Sequence, residues 1–213
     1  MKYEKKHAWS ALLRLYHWTL VLSVSVLTFT GLYIRYPFVS SLTGGGQFPM
    51  ANIRYIHFIT SYIFTGAIIV RVYLAIFGNR HESLRRIVPD MPKTLKDAWR
   101  AGRSYFTMDI YNHKGVGHNG LAVITYTVTI IIAILEIISG FYLLYPESAF
   151  WQGWGLMIFG PQQQARFIHH LIMWYFIIFT MGHVYIVIGN EILHPDGMLS
   201  SMVGGWKFKP EKE

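Results

Sequence analysis

The sequence predicts an all-α membrane protein whose single domain, residues 1–213, is a bundle of four transmembrane helices. Composition is the first reason, since 53% of the residues are hydrophobic and only 14% are charged, unlike ordinary soluble domains. The second reason is that four apolar stretches can each cross about 30 Å of hydrocarbon at about 1.5 Å per residue. These stretches cover about residues 15–35, 54–77, 119–144 and 167–190.

The first stretch is predicted to stay in the mature protein as a helix. It begins only after residue 14, it is longer than the apolar region of a signal peptide, and no small-residue cleavage site follows it. All four stretches therefore count as spans.

Basic residues indicate how the spans are oriented. They are concentrated before the first span (Lys2, Lys5, Lys6, Arg14), between the second and third (Arg80, Arg85, Arg86, Lys93, Lys96, Arg100, Arg103, Lys114) and after the fourth (Lys207, Lys209, Lys212). Because cytoplasmic loops are rich in Lys and Arg, both termini are predicted to be cytoplasmic. We expect a multi-pass protein of the inner (cytoplasmic) membrane of a bacterial or archaeal cell, in contact with membrane lipid. The net charge of +8 then reflects topology, and no nucleic acid partner is expected.

The connections between spans differ in character. Residues 36–53 form a Gly- and Pro-containing outer loop. The inner connection, residues 78–118, includes PKTLKDAWRAGRSYF, which has the pattern of an amphipathic helix at the membrane surface. The second outer connection, residues 146–166, contains Trp151 and Trp154 and suits an interfacial segment or a docking surface.

Three histidines occur in the fourth span, within RFIHHLIMWYFIIFTMGHVY (166–185). On an α-helix, fourteen residues fall about 40° short of four turns and rise about 21 Å, so His169 and His183 share one face at two depths. His170 is predicted to point elsewhere.

Two further histidines match those depths. His17 lies just inside the cytoplasmic start of the first span, and His57 lies just inside the outer start of the second. Each depth then has a pair: His17 with His183 on the inner side, and His57 with His169 on the outer side. This arrangement meets the requirement for two haems, each with two histidine axial ligands to its iron, in the bundle core.

Gly31 and Arg71 fit the same spacing. Gly31 follows His17 by fourteen residues, so it would leave room for a porphyrin at the outer depth. Arg71 follows His57 by fourteen residues and could pair with a haem propionate at the inner depth. Simpler roles stay open: histidines at membrane boundaries are often interfacial, Gly31 could permit close helix packing, and Arg71 could extend to the interface.

The sequence has no cysteine. Disulfides, thiolate-bound iron–sulfur clusters and covalently attached c-type haem are therefore excluded, and any haem would be held non-covalently.

At these histidines the chain resembles the b-type cytochrome subunit of membrane-bound nickel–iron hydrogenases. The resemblance lies in RLYHWTLVLSVSVLTFTG (14–31), RFIHHLIMWYFIIFTMGHVY (166–185) and HPDGMLSSMVGGWK (194–207), and it extends over all four spans. It implies two b haems with the same four ligands, a periplasmic partner made of hydrogenase small and large subunits, and electron delivery from hydrogen to quinone. The wider superfamily includes the cytochrome b subunits of formate dehydrogenase and thiosulfate reductase and the bacterial cytochrome b561 proteins.

Quinone is expected at the cytoplasmic side, because electrons that enter at the outer haem must leave near the inner one. The segment HKGVGHNGLA (113–122) enters the third span at that depth, and His118 and Asn119 could hydrogen-bond a quinone carbonyl. It resembles a quinone-contacting element of the family, although both residues could instead cap the helix.

A cytochrome b subunit of formate dehydrogenase or thiosulfate reductase type remains an alternative, and so do two functions without a dehydrogenase partner. One is a stand-alone quinone oxidoreductase with the same fold. The other is a metal or proton transporter that uses histidines as relays, although the distance of about 21 Å between the two histidine levels argues against a continuous ion path.

Overall fold

The computed structural model describes residues 3–37, 49–78, 83, 91–107, 120–193 and 197–210. The elements within these ranges follow one another as β1 (Tyr3–His7), α1 (Ala11–Arg35), α2 (Pro49–Phe77), α3 (Met91–Thr107), α4 (Gly120–Leu144), α5 (Ala149–Phe159), α6 (Gln162–Leu193), α7 (Met198–Gly204) and β2 (Trp206–Pro210).

Four of the helices are long and apolar enough to cross a membrane: Ala11–Arg35, Pro49–Phe77, Gly120–Leu144 and Gln162–Ile192. These candidate spans coincide with the four apolar stretches of the sequence analysis. α1, α2 and α6 begin about one turn before the apolar stretch does, because the backbone hydrogen bonds of a helix continue past the hydrocarbon edge. The amphipathic helix predicted in the inner connection is α3.

Large apolar side chains cover the outside of these helices. Leu22, Ile69, Ile178 and Met181 are each between 65% and 68% exposed. Such surface is unfavourable in water and favourable against lipid tails, which accords with a multi-pass membrane protein.

The chain divides into two compact units. The central unit comprises residues 17–69 and 132–179, and the terminal unit comprises residues 1–16, 70–131 and 180–213. Each is described separately below.

All four long helices contribute to the central unit. Phe64 on α2 meets Phe176 on α6 edge to face, with ring centroids 6.2 Å apart. Tyr62 on α2 lies 5.5 Å from the ring of Phe141 on α4, and its hydroxyl group contacts that of Tyr145. These contacts are the side-chain packing expected of a helical bundle.

α5 is held against the end of α4 by Tyr142, whose side chain is 1% exposed. The Tyr142 hydroxyl donates to the Gly160 carbonyl at 3.0 Å. Gly155 lies so close to the Tyr142 ring that a Cβ there would overlap it, which explains a glycine within this helix. Residues Ala149–Phe159, within the connection predicted to be the second outer one, therefore form an ordered helix.

The terminal unit contains a two-stranded sheet that the sequence analysis did not predict. β1 and β2 pair antiparallel, with Tyr3 opposite Pro210 and His7 opposite Trp206. Below the sheet, the Trp9 indole donates to the Ser201 hydroxyl at 3.0 Å, and both side chains are buried. The alternation of aromatic and basic residues in WKFKP (206–210) is the sequence signal for the strand.

Candidate cofactor site

The imidazole of His169, on α6 of the central unit, is bound by a hydroxyl group from α4. Its Nδ1 lies 2.8 Å from the Ser139 hydroxyl oxygen. A carboxylate oxygen of Glu136, one turn earlier on α4, lies 3.3 Å from the same Nδ1. Ser139 is completely buried, so this contact is enclosed by the fold.

The imidazole of His57, on α2 of the same unit, has an equivalent partner on α1. Its Nδ1 lies 2.8 Å from the hydroxyl oxygen of Thr30, which is 2% exposed. His57 and His169 are thus held in the same way by two different helices.

These contacts determine which ring nitrogen carries the proton. The Ser139 hydroxyl donates to the Glu136 backbone carbonyl at 2.9 Å, and the Thr30 hydroxyl donates to the Val26 carbonyl at 2.7 Å. A hydroxyl group has one hydrogen, so while that hydrogen bonds to the helix carbonyl the oxygen can only accept from the histidine Nδ1–H. Nε2 of each ring then carries the lone pair that binds a metal, as in haem-ligating histidines.

Glycines leave space beside both rings. A Cβ on Gly31 would lie 3.6 Å from Cε1 of His57, and a Cβ on Gly140 would lie 3.3 Å from Cε1 of His169. Cε1 lies between the two ring nitrogens, and the next nearest atoms are Nδ1 of His169 at 3.9 Å for Gly140 and the Met173 sulfur at 3.7 Å for Gly31. Gly31 was predicted to leave such room, and Gly140 was not anticipated.

His183 lies in the terminal unit and has a different partner. Its Nδ1 is 3.2 Å from the Tyr126 hydroxyl of α4, and the two rings meet edge to face at 5.8 Å. Arg71, predicted to face this depth, belongs to the same unit, and its side chain is 8% exposed. A charged side chain that is buried so deeply in a membrane helix is expected to pair with a ligand or with another group of the protein.

The remaining predicted residues are placed as follows. His17 is on α1 in the central unit, with its ring 5.4 Å from that of Trp18. His170 is half-buried, and its Nε2 accepts from the Trp174 indole at 3.3 Å, away from the Ser139 contact. His118 and Asn119 lie outside the described residues. No cluster of three or more metal-ligating side chains occurs within the described residues.

The sequence analysis missed the hydroxyl partners Thr30, Ser139 and Tyr126. The contact between the Glu136 carboxylate and His169 was likewise not predicted. Thr30 and Ser139 are separated from their histidines by 27 and 30 residues, so no local spacing connects them.

Apolar membrane helices that hold imidazoles by Nδ1, in a chain without cysteine, have the donor set of a membrane cytochrome with non-covalently bound haem. This is the class of protein that the fold and the site define. The chain belongs to the prokaryotic cytochrome b561 family, whose profile matches residues 8–205. It is therefore a multi-pass membrane protein of electron transport with haem b as its cofactor.

Curated relatives are similar along nearly the whole chain. A protein of Azotobacter vinelandii named "Probable Ni/Fe-hydrogenase B-type cytochrome subunit" is 33% identical, over 97% of this chain and 90% of its own length. A protein of the same name from Cupriavidus necator is 30% identical, over 94% and 86%. A protein of Escherichia coli K12 named "Probable Ni/Fe-hydrogenase 1 B-type cytochrome subunit" is 29% identical, over 94% of this chain and 90% of its own length.

Proposed function

We propose that this protein is the membrane subunit of a nickel–iron hydrogenase, that it binds two haem b groups and that it passes electrons from hydrogen oxidation to quinone. The observation that carries the proposal is the pair of imidazoles, His57 and His169, each oriented through Nδ1 by a buried hydroxyl group. The names of the relatives support the hydrogenase as the electron donor.

The outer haem is assigned to His57 and His169. Thr30 and Ser139 keep both rings in the tautomer that offers Nε2 to iron, and Gly31 and Gly140 leave room beside each ring. Two imidazoles fill both axial positions of a haem, which then serves as a one-electron carrier with no open site for a gas. Hydrogen itself is therefore oxidised on the partner.

The inner haem is assigned to His17 and His183. Here the support is the helical spacing of fourteen residues and the family resemblance, together with the Tyr126 contact to His183. Arg71, buried in the terminal unit, is assigned to a haem propionate, because a guanidinium pairs well with a carboxylate.

The hydrogenase small subunit is proposed to bind the periplasmic side, over residues 36–53 and 146–166, with the large subunit beyond it. Both termini are then cytoplasmic, as the distribution of Lys and Arg indicates. α5 supports this position: Phe150, Trp154 and Met157 are 64%, 56% and 72% exposed. Aromatic residues and methionine are enriched at protein interfaces.

Quinone is proposed to be reduced near the inner haem, with His118 and Asn119 donating to its carbonyl oxygen. Both side chains have groups able to do so. With this geometry, protons for quinone reduction are taken up from the cytoplasm.

The test is to purify the untagged complex from native membranes and determine its subunits, its haem content and its response to hydrogen. We expect two haem b per chain, hydrogenase subunits, and haem reduction by hydrogen. Reduction by formate but not hydrogen would identify a different dehydrogenase. A chain purified without any large partner would favour the stand-alone oxidoreductase.

The quinone site is tested with Asn119→Ala in the same complex. We expect hydrogen to reduce the haems normally while quinone reduction is lost. Normal quinone turnover would place the site elsewhere and leave the haem assignments intact.

A further inference from the structure

The exposed face of α3 carries two adjacent stripes of different chemistry. At about 100° per residue, Met91, Leu95 and Trp99 fall within an arc of about 80°. Their side chains are 43%, 55% and 76% exposed. The next arc, of about 60°, holds three exposed cations, namely Arg103, Lys96 and Arg100.

The opposite face of α3 is fixed to the first turn of α4. Ala101 is fully buried, and the Asp97 carboxylate accepts a hydrogen bond from the Gly120 backbone N–H at 2.6 Å. A Cβ on Gly120 would lie only 2.9 Å from the Ala98 nitrogen, so the two helices are in backbone contact. The negative charge of the Asp97 carboxylate also stabilises the N-terminus of α4, because the first backbone N–H groups of a helix have no partner within it.

This attachment determines which environment the exposed face meets. α4 is a candidate membrane span that begins at Gly120, so α3 lies at the boundary between lipid and water. There, an apolar stripe enters the upper acyl region while the neighbouring cations remain among the headgroups. An exposed tryptophan is well suited to this depth.

We propose that the exposed face of α3 is a binding site for anionic phospholipids, with Lys96, Arg100 and Arg103 on the headgroup phosphates and Met91, Leu95 and Trp99 against the acyl chains. Charge complementarity selects the ligand, because three cations on one side of an apolar stripe favour a headgroup with net negative charge over a zwitterionic one. The proposal is independent of the electron-transfer function.

The site is tested by native mass spectrometry of the full-length, haem-loaded protein, titrated with phosphatidylglycerol or phosphatidylcholine. Each cation near the surface contributes about a five-fold preference, so Lys96→Gln with Arg100→Gln should weaken phosphatidylglycerol binding about thirty-fold. Phosphatidylcholine binding should be unchanged.

The matched control is Lys5→Gln with Lys6→Gln, which removes the same charge from β1 of the same unit. Lys5 lies over the Trp206 ring at 4.7 Å and Lys6 pairs with Glu4 at 3.0 Å, so both cations are already engaged within the protein. This variant should keep the wild-type preference. An equal loss in both variants, or unchanged binding in the α3 variant, would overturn the assignment, as would displacement of the lipid by inorganic phosphate.

A second measurement does not remove any cation. The sequence has no cysteine, so Leu95→Cys creates a unique labelling site on the apolar stripe. In nanodiscs, a fluorophore there should be quenched more strongly by a lipid-borne quencher when phosphatidylglycerol is present than in phosphatidylcholine alone. Equal quenching in both lipids would also overturn the proposal.

Discussion

His57 and His169 of the central unit and His183 of the terminal unit are held by different kinds of hydroxyl group. His57 and His169 contact Thr30 and Ser139, whose single hydrogen already bonds to a helix carbonyl. His183 contacts Tyr126, whose phenol can donate or accept and lies at 3.2 Å rather than 2.8 Å. The first arrangement fixes the tautomer of the ring before any cofactor arrives, and the second constrains it less.

This difference shows how an aliphatic hydroxyl in a membrane helix can orient a ligand. When the hydroxyl hydrogen of a serine or threonine bonds to a carbonyl of its own helix, the hydroxyl oxygen can only accept a hydrogen bond from a neighbouring side chain. Such a partner makes the imidazole a stronger electron donor to a metal. We therefore expect the haem proposed for His57 and His169 to depend more on its hydroxyl partners than the haem proposed for His17 and His183.

The largest effect is expected from His169→Ala. Removing an axial ligand should eliminate one of the two proposed haems, halving the haem content measured by the pyridine haemochrome assay. His170→Ala is the matched control, because His170 bonds to Trp174 and should leave the haem content unchanged. If His170→Ala lost a haem while His169→Ala kept both, the assigned helical face would be wrong.

The next effect is expected from Gly140→Val. A Cβ here lies 3.3 Å from Cε1 of His169, so a branched side chain should push the imidazole off its axial position. We expect partial haem loss, seen as a lower absorbance ratio of haem to protein. Gly66→Val is the control, since a Cβ at Gly66 meets nothing within 4 Å. Equal occupancy in both variants would remove Gly140 from the site.

A smaller effect is expected from Thr30→Val. Valine has no hydroxyl oxygen to accept the His57 Nδ1–H, so the His57 imidazole would donate less electron density to the oxidised haem iron. The midpoint potential of the haem proposed for His57 and His169 should therefore rise. A shift of roughly 10 to 40 mV corresponds to up to about 1 kcal/mol for one electron. Redox titration followed in the visible spectrum measures it. An unchanged potential would mean that the hydroxyl group does not tune the haem.

Ser139→Ala should shift the same potential less, because the Glu136 carboxylate remains 3.3 Å from the His169 Nδ1 and can accept in its place. Combining it with Glu136→Leu should restore the full shift, because leucine has no oxygen that can accept the Nδ1 hydrogen. If the double variant behaved like Ser139→Ala alone, Glu136 would have no role as a reserve acceptor.

The smallest effect is expected from Tyr126→Phe. The contact between the Tyr126 hydroxyl and His183 is longer, and either group can donate in it. Its loss should therefore change the midpoint potential of the haem proposed for His183 by less than about 10 mV. A shift as large as that of Thr30→Val would erase the distinction between the two units.

Much of the fold could be predicted because it follows from local chemistry. Apolar length identified the four spans, and the pattern of PKTLKDAWRAGRSYF identified α3. The spacing of fourteen residues also separated His169 from its neighbour His170, and the structure gives these two side chains different partners.

What the sequence did not predict depends on contacts between distant segments. A serine or threonine in an apolar run looks the same whether its oxygen faces a histidine or bonds to its own helix, so Thr30 and Ser139 could not be distinguished from Thr127 or Ser25. The sheet was missed because each strand has five residues and its partner lies at the other end of the sequence.

That sheet has a consequence for how the protein is made. β2 follows its partner β1 by roughly 200 residues, which at ribosomal rates takes about 10 to 40 s to synthesise. During this time the backbone of β1 has no strand to pair with, while the membrane helices are inserted one after another. The terminal unit can therefore be completed only when translation has reached β2. A prematurely terminated chain would leave the edge of β1 unpaired and accessible to cellular proteases.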